Sequence, residues 1–187
     1  MIKRLVILNL ISCKKQLMRP ILFIDRDGTI IEELSGGNHD RIEKITFLND
    51  ALHSLRLIQS EANFLFVMVT NQDGLGTNLF PESNFWPIQD FIIRTLKGER
   101  IIFDAIHIDN HLESDDHPNR KPGIGMLKEY LNGQYDIQNS YVIGDRLTDV
   151  QLAKNLGCQA IHISDTKGSD AALTAANWNE ICDFLRS

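Results

Sequence analysis

Short apolar runs of strand length alternate along the chain with segments whose apolar positions recur at helical spacing. The runs predict strands over 20–25, 63–70, 102–108, 140–144 and 158–163. The periodic segments predict helices over 49–60, 84–97, 123–132 and 147–156, with a last one through Trp178 to Leu185. Strand then helix, repeated, specifies an α/β fold: one doubly wound parallel sheet covered on both faces. Asn49-Asp50 reads as a helix N-cap, and Gly157 after Asn155-Leu156 reads as a helix stop. Two connectors, Glu32 to Thr46 and Asn110 to Pro122, are long for such a fold and follow strand C-termini, where these sheets bind ligands.

Composition narrows the function classes. With 187 residues, 43% apolar and 24% charged, the chain is long enough to bury one ordinary core without staples. Its 25 acidic and 19 basic residues give a net charge of −6, and no basic cluster offsets it, which argues against a nucleic-acid partner. Uncharged apolar runs such as Asn63 to Thr70 are far shorter than the ~20 residues a bilayer crossing needs, so no membrane span is expected. Cys13, Cys158 and Cys182 form no CxxC pair and no even framework, which suggests free thiols in a reducing cytoplasm.

The first eighteen residues match nothing downstream. Lys3-Arg4, the apolar stretch Leu5 to Ile11 and Ser12-Cys13 are similar to the start of a lipoprotein signal, but that stretch is short and contains Asn9. A strand pattern begins directly at Arg19-Pro20, so residues 1–18 are expected to be an extension, with Met18 a natural start, and residues 19–187 the domain.

The chemistry gathers at the strand ends. The first strand runs into Asp25-Arg26-Asp27-Gly28-Thr29, and a period of two places both aspartates on one side at the sheet's carboxyl edge. Two adjacent carboxylates repel unless a cation lies between them or one is kept protonated, which is how a nucleophile and an acid are separated at one pH. A second pair, Asp145 and Asp149, follows another apolar strand at a helix start, one turn apart. Capping accounts for one of these two and poorly for both. If the strands are neighbours, three or four carboxylates converge on a site suited to a hard cation such as Mg²⁺. The third strand end, Thr70-Asn71-Gln72-Asp73-Gly74-Leu75-Gly76-Thr77, brings a hydroxyl, amides and glycines to the same edge, and Arg120-Lys121-Pro122 brings fixed positive charge before the next helical segment.

In order, Asp25-x-Asp27-Gly-Thr, the strand ending in Thr70, Lys121-Pro and Gly144-Asp145-x-x-x-Asp149 resemble the four motifs of haloacid dehalogenase-type phosphatases. More narrowly, Phe23 to Thr29 and Thr70 to Thr77, with Phe80-Pro81 following, resemble the histidinol-phosphate phosphatase domain over roughly Arg19 to Ser187. The resemblance implies a Rossmann-like core with little or no cap domain, hydrolysing L-histidinol phosphate in histidine biosynthesis. It implies Asp25 as nucleophile and Asp27 as acid/base. It also implies Mg²⁺ on Asp25, Asp145 and the Asp27 carbonyl, supported by Asp149, and substrate oxygens held by Thr70, Asn71, Lys121 and Arg120. The resemblance further implies that Glu33, in the first long loop, would pair with a substrate ammonium. In many bacteria this domain is fused ahead of an imidazoleglycerol-phosphate dehydratase domain, so a fragment of a bifunctional protein is one expectation.

The chain departs from the subgroup at one place. The structural zinc common there uses Cys-x-His and a later Cys-x-Cys, and the matching positions are Asp109, His111, His117 and Asn119, so structural zinc is not expected. Among other readings, a phosphoacceptor signalling module would carry its acceptor aspartate in a later strand and lacks a water-activating aspartate two residues beyond. A phosphatase for a heptose bisphosphate or another small phosphomonoester keeps the chemistry and changes the substrate.

Overall fold

A computed structural model describes residues 18–33, 41–166 and 168–187. Six parallel strands form one sheet: β1 (Ile21–Ile24), β2 (Leu65–Asn71), β3 (Ala105–Asp109), β4 (Tyr141–Gly144), β5 (Gln159–Ile163) and β6 (Leu173–Ala175). Their order is β3-β2-β1-β4-β5-β6, so the chain winds outward from β1 to one edge and returns on its other side. That reversal puts a crevice at the carboxyl ends of β1 and β4, the usual ligand position in such sheets. Four helices cover the faces: α1 (Ala51–Glu61), α2 (Glu82–Gly98), α3 (Leu147–Leu156) and α4 (Trp178–Arg186).

Strand alternation sorts the core into two layers. Leu22 and Ile24 of β1, with Phe66 and Met68 of β2, pack against Leu55 and Ile58 of α1, Ile88 and Ile92 of α2, and Trp178 and Ile181 of α4. Ile21, Phe23, Val67 and Val69 face the opposite way, onto Leu152 and Leu156 of α3 and onto Leu127 and Tyr130. The indole Nε1 of Trp178 donates to the carbonyl of Thr29 at 2.7 Å, which ties α4 to the loop that leaves β1.

Three expectations are corrected. The segment expected as a helix over 123–132 is a 3-10 helix over Gly125–Leu131, whose buried residues Leu127 and Tyr130 are three apart, the repeat a 3-10 turn stacks. The strand β6 was not expected, because three residues are too few to carry an alternating pattern. Asp50 does not cap α1 through its side chain. It sits at φ 62° and instead accepts from Asn179 Nδ2 at 2.8 Å. Gly157 ends α3 in the left-handed conformation, as expected.

Residues 1–17, nearly all of the expected extension, lie outside the described residues. No helix among the described residues is long and apolar enough to cross a membrane.

Candidate active site

β1 stops at Ile24, but Asp25 continues its ladder by one bond, donating its N–H to the Ile143 carbonyl of β4 at 2.9 Å. This pins the Asp25 side chain between the two central strands. The chain then turns sharply: Ile30 and Ile31 both donate to the Arg26 carbonyl, and Gly28 donates to Ile31. Asp27 is therefore brought beside the site by a closed turn, not by the pleat of a continuing strand as the spacing predicts.

Gly28 stands at φ 73°, and a Cβ there would lie 2.2 Å from Asp145 Oδ2. Gly144 has the same constraint, since a Cβ on it would lie 2.3 Å from the Asp149 carboxyl carbon. Both glycines let carboxylates approach backbone more closely than any side chain permits.

Lys121 lies at the centre. Its Nζ is 2.7 Å from Asp25 Oδ1 and 2.8 Å from Asp149 Oδ1, and all three side chains are nearly inaccessible. Burial raises the Asp25 carboxyl above the usual carboxylate range; Lys121 draws it back down, and Asp149 and Asp27 push it up again. For Lys121, burial alone favours the neutral amine, but Asp25 and Asp149 outweigh it and hold the ammonium charged. Asp149 Oδ2 also accepts from the Arg146 N–H at the start of α3, so this carboxylate joins the helix end to the lysine.

Asp145 completes the cluster. Burial, then Asp149, raises its pKa to about 6. Its Oδ1 is buried without a hydrogen-bond partner, while its backbone carbonyl accepts from His162 Nε2 at 3.0 Å. Since a carbonyl only accepts, His162 carries its proton on Nε2, and Nδ1 faces Ser169 Oγ at 3.1 Å. Asp25, Asp145 and Asp149 offer oxygens all within 4.8 Å of one another. An orphaned buried carboxylate oxygen amid hard oxygen donors fits Mg²⁺.

Asp27 is gripped from two elements. Arg26 reaches both its oxygens, Gln72 Nε2 donates to Oδ2 at 2.7 Å, and Thr70 Oγ1 lies 3.4 Å from the same oxygen. Gln72 also donates to Thr70 Oγ1 at 2.8 Å.

The remaining candidates are arranged differently from expectation. The Asn71 side chain clamps the Lys121 peptide, accepting from its N–H at 3.1 Å and donating to its carbonyl at 3.3 Å. It thus positions the lysine, while the second hydrogen of its amide stays outside this clamp. Arg120 pairs with Asp73 at 3.0 Å, and its second terminal nitrogen is buried without a partner. Glu33 forms an ion pair with Arg146 at the rim, so a substrate ammonium would have to compete with a guanidinium for it.

The residues matching the zinc loop engage one another. His111 Nδ1 is 2.8 Å from Asp109 Oδ1, the His111 and His117 rings stack at 3.4 Å, and the Asn119 N–H donates to His117 Nδ1. Donor atoms of Asp109, His111 and His117 nevertheless lie within 4.8 Å of one another. Sequence reasoning passed over Arg26, Arg146 and His162, and it counted the Gln72 amide among phosphate-binding groups where the structure sets it on Asp27 and Thr70. Arg26 carried no separate signal, because its sequence neighbours are the aspartates Asp25 and Asp27.

A family profile described as HAD-hydrolase-like matches residues 118–186. The protein named histidine biosynthesis bifunctional protein HisB from Spirosoma linguale is 44% identical over 187 residues, covering 90% of this chain and 49% of that protein. The HisB protein of Bacteroides fragilis is 46% identical over 177 residues, covering 89% and 47%. The chain thus spans about half the length of these curated relatives. Among solved structures, a HAD-like phosphatase from Mesorhizobium loti matches with a TM-score of 0.76 and 25% identity, over 90% of this chain and 87% of that one. A D,D-heptose 1,7-bisphosphate phosphatase from B. bronchiseptica, complexed with magnesium and phosphate, shares the fold at a TM-score of 0.77 and 23% identity, over 90% and 98%.

Proposed function

Because this chain belongs to the haloacid dehalogenase-like hydrolases, in the phosphatase branch matched by the HisB proteins, we propose that it is a Mg²⁺-dependent phosphomonoesterase acting on L-histidinol phosphate. The observation that carries the chemistry is the junction of Asp25, Lys121 and Asp149, with the orphaned Asp145 oxygen beside it and Asp27 held two residues on. The substrate is carried by the identity to HisB.

In this reading an Asp25 oxygen attacks phosphorus, the ester P–O bond breaks, and Asp27 donates its proton to the departing alkoxide. Asp27 then takes a proton from water as that water attacks the aspartyl-phosphate, which returns Asp25 and releases inorganic phosphate. Asp25, Asp145 and the Asp27 carbonyl would hold Mg²⁺, with Asp149 supporting, and the bound ion would offset phosphoryl charge so that an anionic nucleophile can approach. Lys121 supplies a second, fixed positive charge at the phosphoryl oxygens. Thr70 stands at the same edge, and the unpartnered nitrogen of Arg120 is available to an anionic oxygen. Glu33 would bind the substrate ammonium by exchange with Arg146. The two cysteines among the described residues, Cys158 and Cys182, are free, which suits a cytoplasmic setting. The bifunctional HisB relatives, about half of whose length this chain spans, favour a second domain in the full protein, and the family resemblance makes that domain an imidazoleglycerol-phosphate dehydratase.

The test is phosphate release from L-histidinol phosphate with and without Mg²⁺, beside a heptose bisphosphate and an aryl phosphate. Mg²⁺-dependent preference for histidinol phosphate is expected. Preference for the heptose ester would keep the chemistry and discard the substrate, and no release from any ester would discard both.

A further inference from the structure

Arg26 is 1% exposed and among the largest fully buried side chains of the protein. It lies between the two aspartates, in a core where an apolar side chain of similar volume would cost nothing in desolvation. Its guanidinium is held on three sides. Nε and Nη2 each lie 3.0 Å from a different oxygen of Asp27, a two-point fork. Nη1 donates to Gln89 Oε1 of α2 at 2.9 Å, and the Gln89 amide in turn rests on Met68 Sδ at 3.5 Å. The Phe85 ring lies under the guanidinium, 5.2 Å from its central carbon, and is itself braced edge-on by Phe80 and Trp86.

We propose that Arg26 is a positioning residue for phosphoryl transfer: anchored by Gln89 and Phe85, it fixes the plane of the Asp27 carboxylate for proton transfer. The inference rests on Asp27 being the acid/base. Gln72 and Thr70 both approach Oδ2, whereas Arg26 spans both oxygens, a two-point contact that sets the plane of the carboxylate. A proton donor displaced by a fraction of its reach loses much of its effect, which is why such an anchor belongs beside the reaction and not in a loop at the rim. The anchor comes from α2 and β2, elements the sheet already holds rigid.

The decisive variant is Arg26→Met, which keeps volume and removes the fork. A purely structural arginine predicts a folded enzyme with unchanged kinetics. Positioning predicts a folded enzyme whose kcat on the best ester falls about 10- to 100-fold, with KM little changed and the pH profile of kcat displaced. Arg26→Lys, which keeps charge without the fork, should recover only part of the loss. Gln89→Leu leaves the fork but removes its anchor, and should lower kcat in the same direction by a smaller factor. It decides the matter alone if Arg26→Met does not fold. Wild-type kcat and pH profile in Arg26→Met, or in Gln89→Leu where the first is unfolded, would overturn the proposal. Asp27→Asn runs beside them: if it turns over like wild type, Asp27 is not the donor and the proposal falls with that assignment. If it is inactive while the Arg26 and Gln89 variants are normal, only the positioning role fails.

Discussion

The ammonium of Lys121 lies 2.7 Å from Oδ1 of Asp25, and the same nitrogen reaches Asp149 at 2.8 Å. One cation therefore separates two buried anions that would otherwise face each other. Replacing Lys121 by Met is expected to abolish turnover and to cost about 3–5 kcal/mol of stability near neutral pH, since it leaves buried carboxylates uncompensated. Urea denaturation measures this, and the cost should shrink in acid as the carboxylates protonate. Equal stability at neutral pH would show that the ion pairs are not both formed.

Gly28→Ala tests the tightness of the turn. An added methyl would stand 2.2 Å from Asp145 Oδ2, at a backbone angle of φ 73° that side chains rarely adopt. Displacing Asp145 should weaken Mg²⁺ binding about 10- to 100-fold, and calorimetric titration with Mg²⁺ reads it directly. Turnover at saturating Mg²⁺ should recover in part. Unchanged affinity would remove Asp145 from the ligand set.

Asp27→Asn separates proton transfer from metal binding. The amide keeps the shape, but it can neither donate a proton to the alkoxide nor take one from water, so turnover should fall about 10²- to 10⁴-fold. Mg²⁺ affinity should stay close to wild type, because the expected ligand at this position is the backbone carbonyl. Loss of both together would point to the side chain as a metal ligand.

Much of this arrangement is legible in the sequence, for stated reasons. Ile21 to Ile24, Leu65 to Val69 and Tyr141 to Ile143 are apolar on both faces, the mark of buried parallel strands, and the acidic and hydroxyl residues follow directly at their ends. Strand order then brings Asp25, Thr70 and Asp145 together without further instruction. What the sequence hides is how each side chain is used. Asn71 reads as a substrate ligand in a list of motif residues, and only the fold shows that its amide also clamps the Lys121 peptide fifty positions away. Arg26 looks like a spacer between two aspartates, and only the packing of α2 against β1 and β2 shows what meets it. The 3-10 turn over Gly125–Leu131 was equally hidden, because a repeat of three and a repeat of 3.6 cannot be told apart over seven residues.

The pH dependence follows from Asp145, whose pKa rises from 3.8 to about 6 in the fold. Between those values the folded state binds more proton at this group than the unfolded chain does, so its contribution to stability falls as pH rises through that window. Above it, the metal-free site holds a desolvated charge beside Asp149. A bound Mg²⁺ removes that penalty, but it must displace the proton when the carboxyl is protonated. Thermal stabilisation by Mg²⁺ is therefore expected to be larger at about pH 7.5 than at about pH 5, and EDTA should reverse it along with turnover. Differential scanning fluorimetry across pH, with and without Mg²⁺, checks both statements. Stabilisation that grows toward acid would mean the ion is held by groups other than these carboxylates.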